Sequence, residues 1–167
     1  MKRQRIYFSI LCLALLVLST TAICAQNRAK VIYSDDFKTD NKVWVSEFEQ
    51  AQTSSLQINQ GRLDVIATAG GTVWYKNKLK GNIMITYTVT VVDAGGKNDR
   101  VSDMNAFWMA SNPLSENFFN QSGKFESYDN LRLYYAGIGG HDNETTRFRK
   151  YIGNGQKPIL KEYTDPD

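Results

Sequence analysis

The stretch LRLYYAGIGGHDNETTRFRKY, residues 131–151, contains two candidate β-strands on either side of the glycine pair Gly139-Gly140. Side chains in each arm alternate with the two-residue period of a strand. A Gly-Gly pair between two such arms is typical of the turn that joins antiparallel neighbours. This stretch therefore predicts a β-hairpin and, with it, an antiparallel sheet.

The same pattern extends outward from this hairpin. Its clearest example is IMITYTVTVV, residues 83–92, which combines alternation with β-branched residues and predicts a half-buried strand. Shorter runs of this kind lie at residues 29–33, 43–48, 55–58, 62–67, 72–76, 106–110, 131–138 and 145–152. Gly- or Asn-rich turns separate many of them, so the chain predicts an all-β antiparallel sandwich or barrel. Helix is expected only as a turn near residues 114–120.

Composition indicates one globular domain. The chain has 167 residues, of which 42% are hydrophobic and 22% charged, and these values exclude a disordered chain, a collagen-like repeat and a multi-pass membrane protein. Its formal charge of +3 comes from Lys2, Arg3 and Arg5, and the remainder carries equal numbers of basic and acidic groups. A balanced domain of this kind is not expected to bind nucleic acid.

Residues 1–25 have the organisation of a signal peptide, with a basic start, an apolar run and a small or polar close. The apolar run is shorter than the roughly 20 residues that a bilayer requires. Cleavage after Ala25 leaves residues 26–167 and removes both Cys12 and Cys24, so we expect an exported domain, periplasmic or extracellular, without disulfides or stable membrane insertion. The alternative is a lipoprotein anchored at Cys24, which the bulky Ile23 disfavours.

Metal chemistry has little support in the sequence. His141 is the only histidine and residues 26–167 contain no cysteine, so a zinc site cannot be built. A calcium site remains open at Asp93, Asn98 and Asp99, although their spacing matches no EF-hand and a polar loop is the favoured interpretation. No other cofactor is expected.

Two segments have the residue types of a sugar site. In residues 98–110, Asp103 and Asn105 share a face with Phe107, while Trp108 lies on the other face. Sugar hydroxyls pair with carboxylate and amide groups, and the flat C–H surface of a sugar stacks on an aromatic ring. The alternative is that both aromatic residues belong to the core.

The second segment is the hairpin. Arg132 and Tyr134 share one face of its first arm, and Arg147 and Arg149 share one face of the second. Paired arginines suit carboxylates, so an acidic sugar such as a uronate is a natural ligand. The alternative is a solvated basic edge strand.

An enzyme is the second hypothesis. In a glycoside hydrolase or polysaccharide lyase, Tyr134 or His141 would move a proton while Arg147 neutralises a uronate carboxylate. The sequence has no G-x-S-x-G motif, and a lone histidine in a turn is more often an exposed polar residue.

The sequence also resembles a known family. The matching residues are DDF at 35–37, GGTVWYK at 70–76, NDRVSDMNAFWMA at 98–110 and LRLYYAGIGGHDNETTRFRKYIG at 131–153. They resemble the YesU-like group of secreted domains of unknown function, which have a concanavalin A-like lectin/glucanase jelly roll and lie beside polysaccharide-degrading genes. The resemblance implies a two-sheet jelly-roll sandwich whose concave face handles a plant or algal polysaccharide.

Members of that group continue through several more strands beyond the region of residues 164–166. We therefore expect a jelly roll that is incomplete at its C-terminus. A separate chain could supply the missing strands, and a third hypothesis is an inactive truncated fragment.

Taken as a whole, the sequence predicts an exported carbohydrate-binding or carbohydrate-active domain that functions in polysaccharide utilisation, with acidic glycans as candidate ligands. The expected ligand-binding residues are Arg100, Asp103, Asn105, Trp108, Tyr134, Arg147 and Arg149. The expected catalytic residues are Tyr134, His141 and Arg147.

Overall fold

The structure is a computed structural model that describes residues 30–101 and 103–164. These residues divide into two units, of which the first ends at Asp35 and the second begins at Asp36. The described part of the first unit contains no strand or helix, so the strand predicted at 29–33 is wrong over residues 30–33. Ala29 and the predicted signal peptide lie outside the described residues.

The described part of the second unit is built from eight strands, and every pairing between them is antiparallel. The strands are β1 (Trp44–Phe48), β2 (Ser55–Asn59), β3 (Arg62–Ile66), β4 (Gly71–Tyr75), β5 (Met104–Ser111), β6 (Arg132–Gly139), β7 (Thr145–Ile152) and β8 (Ile159–Thr164). Strand β1 pairs with β4, β2 pairs with β3, and β5 to β8 form one sheet in chain order. The prediction of an all-β antiparallel fold is confirmed.

Local backbone chemistry explains the turns of two hairpins, β2–β3 and β6–β7. Between β2 and β3, Gln60 and Gly61 both have positive φ, 50° and 80°, which matches the right-handed twist of the flanking strands. Between β6 and β7, His141, Asp142 and Asn143 also have positive φ. These three residue types tolerate the left-handed region better than most, so the turn extends beyond the predicted Gly-Gly pair.

Two layers enclose the hydrophobic core. The indole of Trp74 on β4 stacks on the ring of Phe107 on β5, with centroids 5.5 Å apart and an interplanar angle of 22°. The other buried core residues are Tyr128, Leu131, Leu133, Tyr135 and Tyr151. The β1–β4 pair thus covers one face of the four-stranded sheet, an arrangement consistent with a sandwich.

A buried carboxylate lies at the edge of this core. Glu47, on β1, is 7% exposed. It accepts hydrogen bonds from the Trp74 indole nitrogen at 2.8 Å, the Tyr128 hydroxyl at 3.1 Å and the backbone N–H of Gln121 at 2.8 Å. Because three donors satisfy it, the buried charge is tolerated in place.

The strand predicted at residues 83–92 is wrong. These residues form no ladder with any described strand, and all their side chains are exposed. Alternation predicts which side chains would share a face, but a strand also requires a partner for its backbone groups. The seven other predicted strands within the second unit are confirmed.

Two smaller corrections concern the chain after β5. Residues 114–120 contain no helix, and a 3₁₀ turn forms instead at Phe125–Tyr128. The sequence pattern predicts no strand after Pro158, whereas residues there form β8, whose six residues are all exposed. Among the residues that the structure describes, no helix has the length and apolar content needed to cross a bilayer.

We predict that replacing Glu47 will destabilise the fold. Glu47→Ala leaves three donors without an acceptor and should lower the free energy of unfolding by about 3–5 kcal/mol. Glu47→Gln keeps one acceptor oxygen and should cost less. Urea denaturation followed by circular dichroism measures both changes. Glu116→Ala, at an exposed position, serves as the control and should change stability by less than about 0.5 kcal/mol. Equal stability of Glu47→Ala and Glu116→Ala would contradict this account.

Candidate functional site

The register of the four-stranded sheet assigns its side chains to two faces. The core face carries Phe107, Tyr135 and Tyr151, whose rings contact one another. We call the opposite side the aromatic face. It consists of Met104, Ala106, Trp108, Arg132, Tyr134, Ala136, Ile138, Thr146, Phe148, Lys150, Ile152, Lys161 and Tyr163.

Three half-buried rings form a cluster on the aromatic face. Trp108 lies 6.0 Å from Tyr134 at 23° and 5.6 Å from Phe148 at 8°, and Tyr134 lies 5.8 Å from Phe148 at 15°. Trp108 and Phe148 are on strands separated by β6, where Ala136 pairs with Phe148. Because alanine is small, the two rings can meet above β6. We call Trp108, Tyr134 and Phe148 the three-ring cluster.

An open cavity of about 380 Å³ adjoins this cluster. It is lined by Met109, Arg132, Leu133, Tyr134, Lys150, Tyr151 and Ile152. Met109 lies at a break in the pairing of β5 with β6, has a φ of 54° and is 76% exposed. The bulge therefore projects a flexible apolar side chain at the border of a cavity that also contains a ring and two cations.

Several polar side chains lie on or beside the same face as the core rings. We call them the polar group; they are Asn105, Tyr135, His141, Arg147, Arg149 and Glu162. The Tyr135 hydroxyl donates to Asn105 Oδ1 at 2.9 Å, and Arg147 forms an ion pair with Glu162. A Cβ at Gly137 would lie 2.1 Å from the Tyr135 hydroxyl oxygen, so only glycine lets this tyrosine lie along the sheet toward Asn105.

Arg147 and Arg149 of this polar group each make one further polar contact. Arg147 Nη1 lies 3.5 Å from His141 Nε2, and Arg149 Nη1 donates to the backbone carbonyl of Lys157 at 3.0 Å. Burial, reinforced by the negative charge of Asp103, raises the pKa of the Tyr135 phenol. Tyr135 therefore remains a proton donor at neutral pH rather than a proton acceptor.

In the loop before β5, polar side chains bind to other residues of the same loop. Arg100 forms an exposed pair with Asp103 at 3.8 Å. The Asp99 carboxylate accepts hydrogen bonds from the backbone N–H groups of Ala94 and Gly96, both at 3.0 Å. No group of three or more His, Cys, Asp or Glu side chains that could hold a metal occurs in residues 30–101 and 103–164.

The sheet separates the predicted ligand-binding residues. Trp108 and Tyr134 lie on the aromatic face, whereas Asn105, Arg147 and Arg149 lie on the core face. Arg100 and Asp103 precede β5 and pair with each other. The predicted ligand-binding residues therefore do not form a single site.

The predicted catalytic residues are separated in the same way. His141 approaches Arg147, but Tyr134 is on the other side of the sheet. The tyrosine that shares the arginine face is Tyr135, which pairs directly with Arg149. Sequence reasoning missed Tyr135, and it also missed Phe148 and Lys150 on the aromatic face. These residues could have been identified by assigning the pairing register of the two strands on either side of the β6–β7 turn, because that register decides which side chains share a face.

A second cavity, of about 480 Å³, is lined by residues of β1, β2 and β3 and of the segments that flank them. Its apolar side chains include Trp44, Phe48, Leu56, Ile58 and Leu63. Lys42, which also lines it, forms an ion pair with Asp40. Its other lining residues are mostly polar, among them Asp40, Ser46, Ser54 and Ser55. None of its lining residues belongs to the aromatic face, whereas the cavity beside Tyr134 is lined by Arg132 and Lys150 of that face.

We predict that two adjacent aromatic residues contribute unequally to stability. Phe107→Ala removes a ring packed against Trp74 and should lower the free energy of unfolding by about 3 kcal/mol. Trp108→Ala acts on the open face and should cost about 1 kcal/mol. Thermal and urea denaturation of the two variants give the comparison. A larger loss for Trp108→Ala than for Phe107→Ala would place Trp108 in the core.

Comparison with known proteins gives a family. Residues 65–167, which include β4 to β8 and both faces of the four-stranded sheet, match DUF6250, a domain of unknown function. No curated protein and no solved structure matches the chain at a significant level. Because the match covers more than half of the sequence, the chain belongs to the DUF6250 family.

Proposed function

We propose that this domain binds an oligosaccharide on its aromatic face and does so outside the cytoplasm. The observation that carries the proposal is the three-ring cluster, whose three rings are half-buried and near parallel on the side of the sheet away from the core. Flat aromatic surfaces stack on the C–H faces of sugar rings, and neighbouring hydroxyls then reach polar side chains.

The cavity beside Tyr134 supports this assignment. Its volume of about 380 Å³ lies within the range of roughly 300–1,000 Å³ that small-molecule sites occupy. The rings of the core face, by contrast, are used for packing, since Phe107 and Tyr135 contact the buried cluster around Trp74. The open rings are therefore the ones available to a ligand.

Two further parts of the proposal come from the sequence. The signal-peptide organisation of residues 1–25 supports export to the periplasm or the extracellular space. The resemblance to YesU-like domains supports a concanavalin A-like jelly roll and a role in polysaccharide utilisation. The antiparallel pairing and the two packed layers are compatible with that fold.

Binding is favoured over cleavage by the chemistry of the same face. The aromatic face has no Asp or Glu within the described strands, whereas a typical glycosidase needs two carboxyl groups beside the scissile bond. In the lyase hypothesis a proton acceptor must share a site with the arginine that neutralises the uronate. Tyr134 lies on the face opposite Arg147. His141 does approach Arg147, but that arginine is already paired with Glu162 and is not free to neutralise a uronate.

We predict that Trp108→Ala and Tyr134→Ala will each weaken oligosaccharide binding about tenfold, because each variant removes a stacking surface. Isothermal titration against a panel of neutral and acidic oligosaccharides measures the loss. Tyr75→Ala, which removes a half-buried ring from β4, is the matched control and should bind like the unaltered chain. Loss of binding in Arg147→Ala, with unchanged binding in Trp108→Ala, would move the site to the core face.

A further inference from the structure

We propose that the aromatic face selects oligosaccharides that carry carboxylate or sulfate groups, and that Arg132 and Lys150 hold such a group beside the ring of Tyr134. This inference rests on the proposed function and identifies its ligand class. It differs from the expectation drawn from the sequence, which placed the anion on Arg147 and Arg149.

The first support is the distribution of charge. The aromatic face has three cations, Arg132, Lys150 and Lys161, and no carboxylate within the described strands. None of the three forms an ion pair with any residue in the described part of the chain. The core face is different, because Arg147 is neutralised there by Glu162. The uncompensated positive charge is thus on the side that carries the open rings.

The second support is the register that brings cations beside rings. Lys150 is the direct cross-strand partner of Tyr134, and its Nζ lies 5.9 Å from the centre of that ring. Lys161 is likewise the direct partner of Phe148. A sugar stacked on either ring would therefore have its charged substituent next to an ammonium group.

The third support is the position of the Arg132 side chain, which requires a glycine at residue 153. A Cβ at Gly153 would lie 2.8 Å from Arg132 Cγ and 3.1 Å from its Nε. Gly153 also has a φ of +82°, a conformation that L side chains rarely adopt. The arginine stem therefore lies over a glycine, and its side chain lines the same cavity as Lys150 and Tyr134. A guanidinium binds carboxylate and sulfate groups through two parallel N–H donors.

Single-stranded nucleic acid is the main competing ligand, because rings interleaved with cations also bind bases and phosphates. The charge of the chain argues against it. Outside the first 25 residues, basic and acidic groups are equal in number, whereas phosphate backbones are recognised by extended positive surfaces. A small patch of three cations, two of which line one cavity, fits a short acidic sugar better.

The experiment compares each acidic oligosaccharide with its uncharged counterpart. The probes are oligogalacturonate and its methyl ester, alginate oligomers and their methyl esters, and a sulfated galactan oligomer and its desulfated form. A ten-nucleotide oligothymidine tests the competing ligand. Isothermal titration is carried out on the full chain as purified and on the variants Arg132→Gln, Lys150→Gln and Lys150→Arg. Lys97→Gln, at an exposed loop position, is the matched control.

We expect at least one acidic oligomer to bind about tenfold more tightly than its uncharged form. Arg132→Gln and Lys150→Gln should each remove most of that difference, while Lys150→Arg and Lys97→Gln retain it. Affinity for the acidic form should also fall as salt is raised, because the cations are exposed. Comparison of the carboxylate and sulfate probes shows which anion is preferred.

The other outcomes contradict the inference in distinguishable ways. Equal affinity for charged and uncharged forms, with Trp108→Ala still weakening both, overturns the anionic selectivity and leaves oligosaccharide binding intact. No binding of any oligosaccharide overturns both proposals. Tighter binding of oligothymidine than of every sugar assigns the face to nucleic acid. Selectivity that survives Arg132→Gln and Lys150→Gln but is lost in Arg147→Ala moves the anion to the core face.

Discussion

The hydrogen bonds of the Glu47 carboxylate determine how the two layers meet. Its donors, Trp74, Gln121 and Tyr128, come from separate segments of the chain, and they meet at one buried group. With its N–H bound to Glu47, the Trp74 indole has a fixed position from which it stacks on Phe107. The core face of the four-stranded sheet is thereby covered, and the aromatic face is left open. A small core of mostly aromatic side chains depends on such a directional contact, because ring packing alone specifies orientation weakly.

The pairing register of β6 with β7 decides which chemistry each face carries. Arg147 pairs with Gly137 and Arg149 with Tyr135, so the arginines share the face of Tyr135 and not that of Tyr134. A shift by one residue would exchange every side chain of one strand between the two faces. It would bring Tyr134 to the arginines and remove Phe148 from Trp108. The division between a core face with paired charges and an aromatic face with unpaired cations is therefore a property of this one register.

The sequence predicted most strands because their alternation and their turns agree, as in β2 and β3 around Gln60 and Gly61. It could not predict which residues form one site, because the turn at Gly140–Asn143 is longer than a Gly-Gly pair and the register depends on its length. Residues 83–92 show the opposite error, since strong alternation was not accompanied by a pairing partner. Strand β8 was missed because its side chains are all exposed and no burial pattern marks it. Local patterns thus indicate strands, whereas sites depend on pairing.

Net charge and local charge also lead to different expectations for this chain. The balance of basic and acidic groups beyond residue 25 argues against long polyanions, but it is an average over both faces and all loops. A ligand on the surface responds mainly to charges within about one Debye length, roughly 8–10 Å in physiological salt. At the aromatic face those charges are set by Arg132, Lys150 and Lys161, while carboxylates such as Glu162 and Asp129 neutralise cations elsewhere. A neutral domain can therefore present one positive, ring-lined surface, and the size of that surface favours a short acidic ligand over an extended one.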